Sequence, residues 1–119
     1  TVLDEAALRR VVGNRSLMRE QLEHLVEQSR LPHVTVQVIP PFEMGAHPGL
    51  NGQYAILEFP PDAADSSVVY IEGVTSDLYL EKANDVQKYS VMYEHLRAQA
   101  LNVEQSRQFI AKIAKEYAD

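Results

Sequence analysis

The sequence predicts an α+β domain: a small, mostly antiparallel sheet of three to five strands, with one crossover helix and a C-terminal antiparallel helical hairpin. Alternating β-branched runs mark the strands, and apolar residues spaced three and four apart mark the helices. Along the chain the two patterns read strand, helix, strand, strand, strand, helix, helix, an order in which helices pack on a small sheet.

The first residues leave two readings open. Val2, Leu3, Ala7 and Leu8 suit an edge strand, taken as Thr1–Glu5, while Asp4-Glu5 followed by Ala6-Ala7-Leu8 suits the start of a short helix. A helix then runs from Asn14 to about Leu31, because Met18, Leu22, Leu25 and Val26 share one face and Arg15, Arg19, Glu20, Glu23, Glu27 and Arg30 fill the rest. Gly13-Asn14 supplies its N-cap, and Pro32 disfavours α geometry at Leu31. With a strand before it, this helix is the crossover of a parallel, right-handed βαβ unit.

Val34-Thr35-Val36-Gln37-Val38 alternates as a strand and stops at Pro40-Pro41. Gln53–Phe59 and Val68–Gly73 read as a hairpin with a long, turn-rich loop between them, and Leu78-Tyr79-Leu80 adds a last edge strand. Asn84-Asp85-Val86-Gln87 has the residue types of a capping box and opens a helix with Val86, Tyr89, Tyr93, Leu96 and Ala100 on one side. Asn102-Val103-Glu104-Gln105 repeats the signal for a helix with Ser106, Ile110, Ile113 and Tyr117 in register. The short connection between these helices makes them antiparallel.

At 119 residues the chain has room for one domain, residues 1–119. It contains no cysteine, which excludes disulfides, thiolate metal sites, Fe–S clusters and cysteine nucleophiles. No apolar run approaches the roughly 18 residues that span a bilayer, and TVLDEAALRR lacks the layout of a signal peptide, so a soluble, cytoplasmic protein is expected. A net charge of −6 argues against autonomous nucleic-acid binding, which draws on Lys and Arg. The charge is concentrated: between Gln53 and Asp85 the acids Glu58, Asp62, Asp65, Glu72, Asp77, Glu81 and Asp85 face the lone base Lys82. Such a segment is either a solvated surface or a docking patch for a basic partner.

The loop Pro40–Gly52 holds three prolines and three glycines and is longer than a hairpin needs. Its Phe42, Glu43, Met44, His47 and Leu50 combine apolar and ionisable groups as a recognition loop does, or else the apolar three fold inward and cap the core. His47 with a carboxylate is the basis of the alternative reading, a small hydrolase-like enzyme. The sequence has no His-Glu-x-x-His pair, no Gly-x-Ser-x-Gly elbow and no phosphate-binding glycine loop, and His24, His33, His47 and His95 lack ligand spacing. No catalytic residue, metal or cofactor is therefore expected.

If Val34, Val36 and Val38 face the core with Leu57, Phe59, Val69 and Ile71, the opposite sheet face carries Tyr54, Ile56, Glu58, Val68, Tyr70 and Glu72. That face is too apolar for plain solvent, so a helix or a partner covers it. Phe42, Glu43, Met44, His47, Tyr54, Tyr70 and Glu72 form the candidate recognition surface.

Three motifs in order, Met18-Arg19-Glu20-Gln21-Leu22, Gly45-Ala46-His47-Pro48-Gly49 and Tyr70-Ile71-Glu72-Gly73, carry a resemblance over essentially the whole chain. The sequence resembles the C-terminal domain of unknown function in actinobacterial, WhiJ-like regulators of the Xre helix-turn-helix type. It departs from them at Pro40-Pro41, where one proline is the pattern. The resemblance implies a non-enzymatic effector-sensing or protein-interaction domain of a transcriptional regulator, which reaches DNA only through a separate N-terminal domain. It also implies a small acidic partner protein or a small-molecule effector; a homodimer is a separate expectation.

Overall fold

In the computed structural model, which describes residues 1–40, 53–60 and 67–118, the chain is α+β. The elements are β1 (Val2–Asp4), α1 (Glu5–Arg9), α2 (Arg15–Gln28), β2 (Gln37–Ile39), β3 (Ala55–Leu57), β4 (Val68–Glu72), β5 (Asp77–Leu80), α3 (Ala83–Gln99) and α4 (Val103–Glu116). Contacts divide them into two units, Thr1–Ala46 with Arg97–Asp119, and His47–Leu96.

In the first unit both readings of the N-terminus are realised in succession. The strand is β1, and Asp4 ends it by accepting a hydrogen bond from the Ala6 N–H at 2.9 Å, which caps α1. Asn14 caps α2 as its sequence predicts, its Oδ1 accepting from the Leu17 N–H at 2.8 Å. Gly13 is required before it: φ is +81°, and a Cβ there would meet Leu17 Cδ2 at 2.6 Å. The helix stops at Gln28 rather than near Leu31, because the chain closes into a turn before Pro32, with Arg30 N–H bonded to Glu27 O and Leu31 N–H to Gln28 O.

The strand expected at Val34–Val38 is confined to Gln37–Ile39, since β1 offers only three partners: Val2↔Gln37, Leu3↔Val38 and Asp4↔Ile39, in parallel. The alternation still holds, with Val36 and Val38 buried in the core and Val34 packed against it. On the far edge of β2 the partners are Leu101, just before α4, and Ser106, in its first turn. Leu101 N–H donates to Val38 O at 2.9 Å, Val38 N–H donates to Ser106 Oγ at 2.9 Å, and Gln37 Nε2 donates to Leu101 O at 3.0 Å. These bonds occupy the edge that a β2–β3 hairpin would need. The result corrects the single sheet expected from sequence: β1-β2 is one parallel pair, and β3-β4-β5 is a separate antiparallel sheet.

The core of this unit lies between α2 and α4. Leu22, Val38, Ile110 and Ile113 are at most 2% exposed, and Met18, Val26 and Tyr117 join them. Every apolar position that periodicity assigned to the inner face of the last helix is buried, and so is Ser106. Arg107 fastens α4 to the C-terminus of α2: Nε donates to Ser29 Oγ and Nη2 to Ser29 O, each at 3.0 Å, supplying donors where a helix end has orphan carbonyls. At the other end Tyr117 Oη donates to Arg9 O at 2.9 Å, and Arg9 bridges Glu5 and Glu116. The capping box at Asn102 forms in full, with Gln105 N–H donating to Asn102 Oδ1 at 2.7 Å and Asn102 N–H to Gln105 Oε1 at 3.2 Å. Asn102→Ala is expected to cost about 1 kcal/mol, read as a lower urea midpoint at unchanged m-value.

In the second unit the register is Ala55↔Tyr70, Ile56↔Val69 and Leu57↔Val68 between β3 and β4, then Val69↔Leu80, Tyr70↔Tyr79, Ile71↔Leu78 and Glu72↔Asp77 between β4 and β5. Because paired residues share a face, Ile56 lies with Val69 and Leu80, whereas Leu57 lies with Val68. This reverses the expected facing of β3. Leu57 and Phe59, assigned to the core from sequence, are 46% and 42% exposed. The helix α3 begins at Ala83, with the Val86 N–H bonded to Lys82 O, so Asn84 sits inside the first turn and is not the cap that its motif predicts.

Candidate functional site

The β4–β5 hairpin leaves one sheet face open, and its residues are set by a turn of four residues, 73–76. Gly73 is needed there for space, since a Cβ would run into the Ser76 carbonyl oxygen. Counting back from the turn puts Glu72 opposite Asp77 and Tyr70 opposite Tyr79. The two rings lie 5.0 Å apart between centroids, tilted by 45°, a spacing at which aromatic pairs attract. Tyr79 is 60% exposed, Tyr70 is half-buried, and Glu72, Asp77 and Leu57 are exposed on the same side of the sheet. Desolvation, followed by the charges of Asp77 and Glu72, pushes the Tyr70 phenol above its ordinary pKa. The phenol also shares a hydrogen bond with Asp77, which favours its protonated form.

Tyr54, grouped with Tyr70 and Glu72 in the sequence, is on the other face. Its ring meets Tyr89 of α3 edge-on at 4.9 Å and 71°, and its hydroxyl is buried without a hydrogen-bond partner among the described residues. Burial, then the neighbouring Tyr93 and Tyr89, raises its pKa. Tyr54 is thus packing, and the candidate surface on the sheet reduces to Tyr70 and Glu72. Phe42, Glu43, Met44 and His47 lie outside the described residues. The strands on either side of that loop, β2 and β3, belong to separate sheets.

Three members of the surface escaped the sequence reading: Leu57, which was assigned to the core, and Tyr79 and Asp77. The signal for the last two was present, since Tyr70/Tyr79 and Glu72/Asp77 are placed symmetrically about the turn at 73–76. Of the remaining histidines, His95 lines a shallow groove on α3 with Gln87, Ser90, Val91 and Glu94. Among the described residues no group of three His, Asp or Glu side chains is arranged to hold a metal ion, and no helix is long and apolar enough to cross a membrane.

These features define a class: an α+β domain with one sheet face packed in part on a helix through Tyr54 and Tyr89 and the other presenting paired tyrosines beside paired carboxylates. The chain belongs to the family described as Domain of unknown function (DUF5753), whose sequence pattern matches residues 1–112. Neither the comparison with curated proteins nor that with solved structures found a match.

Proposed function

We propose that this chain is a non-enzymatic recognition domain of a bacterial transcriptional regulator, one that senses an effector or binds a partner protein in the cytoplasm. The observation that carries the reading is the open β4–β5 face, where Tyr70, Tyr79 and Leu57 place apolar area in solvent next to Glu72 and Asp77. Rigid aromatic bodies with polar tips are the residues that anchor binding surfaces. The excess of acid supports a division of labour, since a domain that repels phosphates leaves DNA to a neighbour. The resemblance to the C-terminal half of Xre-type regulators supplies the regulatory context.

The test compares the natural full-length protein with this chain on a DNA fragment from the protein's own promoter region, at about 0.15 M salt. The full-length protein is expected to retard that fragment selectively over competitor DNA, and the chain alone to leave it unshifted. Selective, saturable retardation by the chain alone, or none by the full-length protein, would defeat the reading.

A further inference from the structure

We infer that the open β4–β5 face docks a basic polypeptide segment, with an arginine side chain lying over the Tyr70–Tyr79 pair and reaching Glu72 and Asp77. This rests on the reading of the domain as a recognition module and names the chemistry of its partner.

Charge complementarity selects the occupant. Glu72 and Asp77 are directly opposed across the ladder, an arrangement of like charges that is unfavourable in a sheet, and the Tyr70 hydroxyl that bonds Asp77 carries no charge to offset either carboxylate. Lys82 is the one base in the stretch from Gln53 to Asp85, so the local sequence supplies little compensation. Two residues up the hairpin, on the same face, the tyrosine rings offer the negative face of a π system. A planar guanidinium satisfies both features, stacking on a ring while its remaining N–H groups meet a carboxylate; a lysine ammonium provides charge but no matching plane. A second copy of the chain docking through the same face would bring four carboxylates together, and a small acidic protein would meet the same repulsion. Partners of either kind need another surface.

The probe is a fluorescein-labelled Gly-Ser peptide carrying three arginines, titrated into the chain by anisotropy alongside peptides with three lysines and with three glutamates. The arginine peptide is expected to bind most tightly, the lysine peptide several-fold more weakly, and the glutamate peptide not at all. Glu72→Gln with Asp77→Asn should weaken arginine binding by about tenfold and flatten its salt dependence. Tyr79→Ala, at an exposed position, should weaken it by about threefold to tenfold and remove the preference over lysine. Circular dichroism melts confirm that the variants fold, and amide shifts should centre on residues 70–79. Equal binding by all variants, shifts spread over the acidic surface at large, or tighter binding of the glutamate peptide would overturn the basic occupant. If arginine peptides fail to bind while Tyr79→Ala abolishes regulation by the full-length protein, the recognition reading stands and this partner chemistry falls. If both results are null, both fall.

Discussion

Ile110→Ala is expected to destabilise the chain by about 2–5 kcal/mol, the largest effect of any substitution considered. Ile110 is 0% exposed, and it stands on the inner face of α4 among the residues that pack against α2. Truncation removes three buried carbons and leaves a cavity that two helices, tied at one end by Arg107 to Ser29 and at the other by Arg15 to the Glu116 carbonyl, are poorly placed to collapse. Val91→Ala supplies the contrast: Val91 is 46% exposed on α3, and its loss should change stability by less than about 0.5 kcal/mol. Urea unfolding of the two variants reads the difference directly. A small effect at Ile110 would mean that the α2–α4 seam is not the main core.

Ser106→Ala is expected to cost about 1–3 kcal/mol although it removes a single oxygen. The hydroxyl is wholly buried, accepts from the Val38 N–H at 2.9 Å and donates to Leu101 O at 3.2 Å. It stands where a neighbouring strand would supply a carbonyl, and alanine leaves the Val38 amide buried with no acceptor. Hydrogen exchange localises the effect: protection at Val38 should fall more than at Leu22, which is buried in the same core. Equal loss at both sites would point to general loosening instead of a broken bridge.

The same serine shows why part of the fold was hidden in the sequence. Helices α2 and α4 were legible because their information is local, a cap followed by apolar residues at helical spacing, as at Asn14 with Met18 and Leu22, or Asn102 with Ile110 and Ile113. The strands were legible as segments but not in their pairing. Nothing in Val34–Val38 states that its second edge is completed by Leu101 and Ser106, more than sixty residues later, so a single sheet was the natural and incorrect inference. In β3 a shift of one residue in register exchanges the two faces, which moved Leu57 out to solvent and Tyr54 in against Tyr89. At Asn84 a good capping motif was overridden because the helix starts at Ala83, two residues before the Asp85 start that the motif implies. The site was half legible: Tyr70 and Glu72 were singled out, and the turn at 73–76 then determines Asp77 and Tyr79 as their partners.

The proposed role of the open face bearing Tyr70 and Tyr79 is tested most directly by regulation in a strain whose natural full-length protein carries Tyr79→Ala. Tyr79 is 60% exposed, so the variant should melt within a few degrees of the parent. Its transcript profile is expected to match that of a strain lacking the protein while its abundance stays normal. Parental regulation by a folded, normally abundant Tyr79→Ala protein would contradict the proposed role.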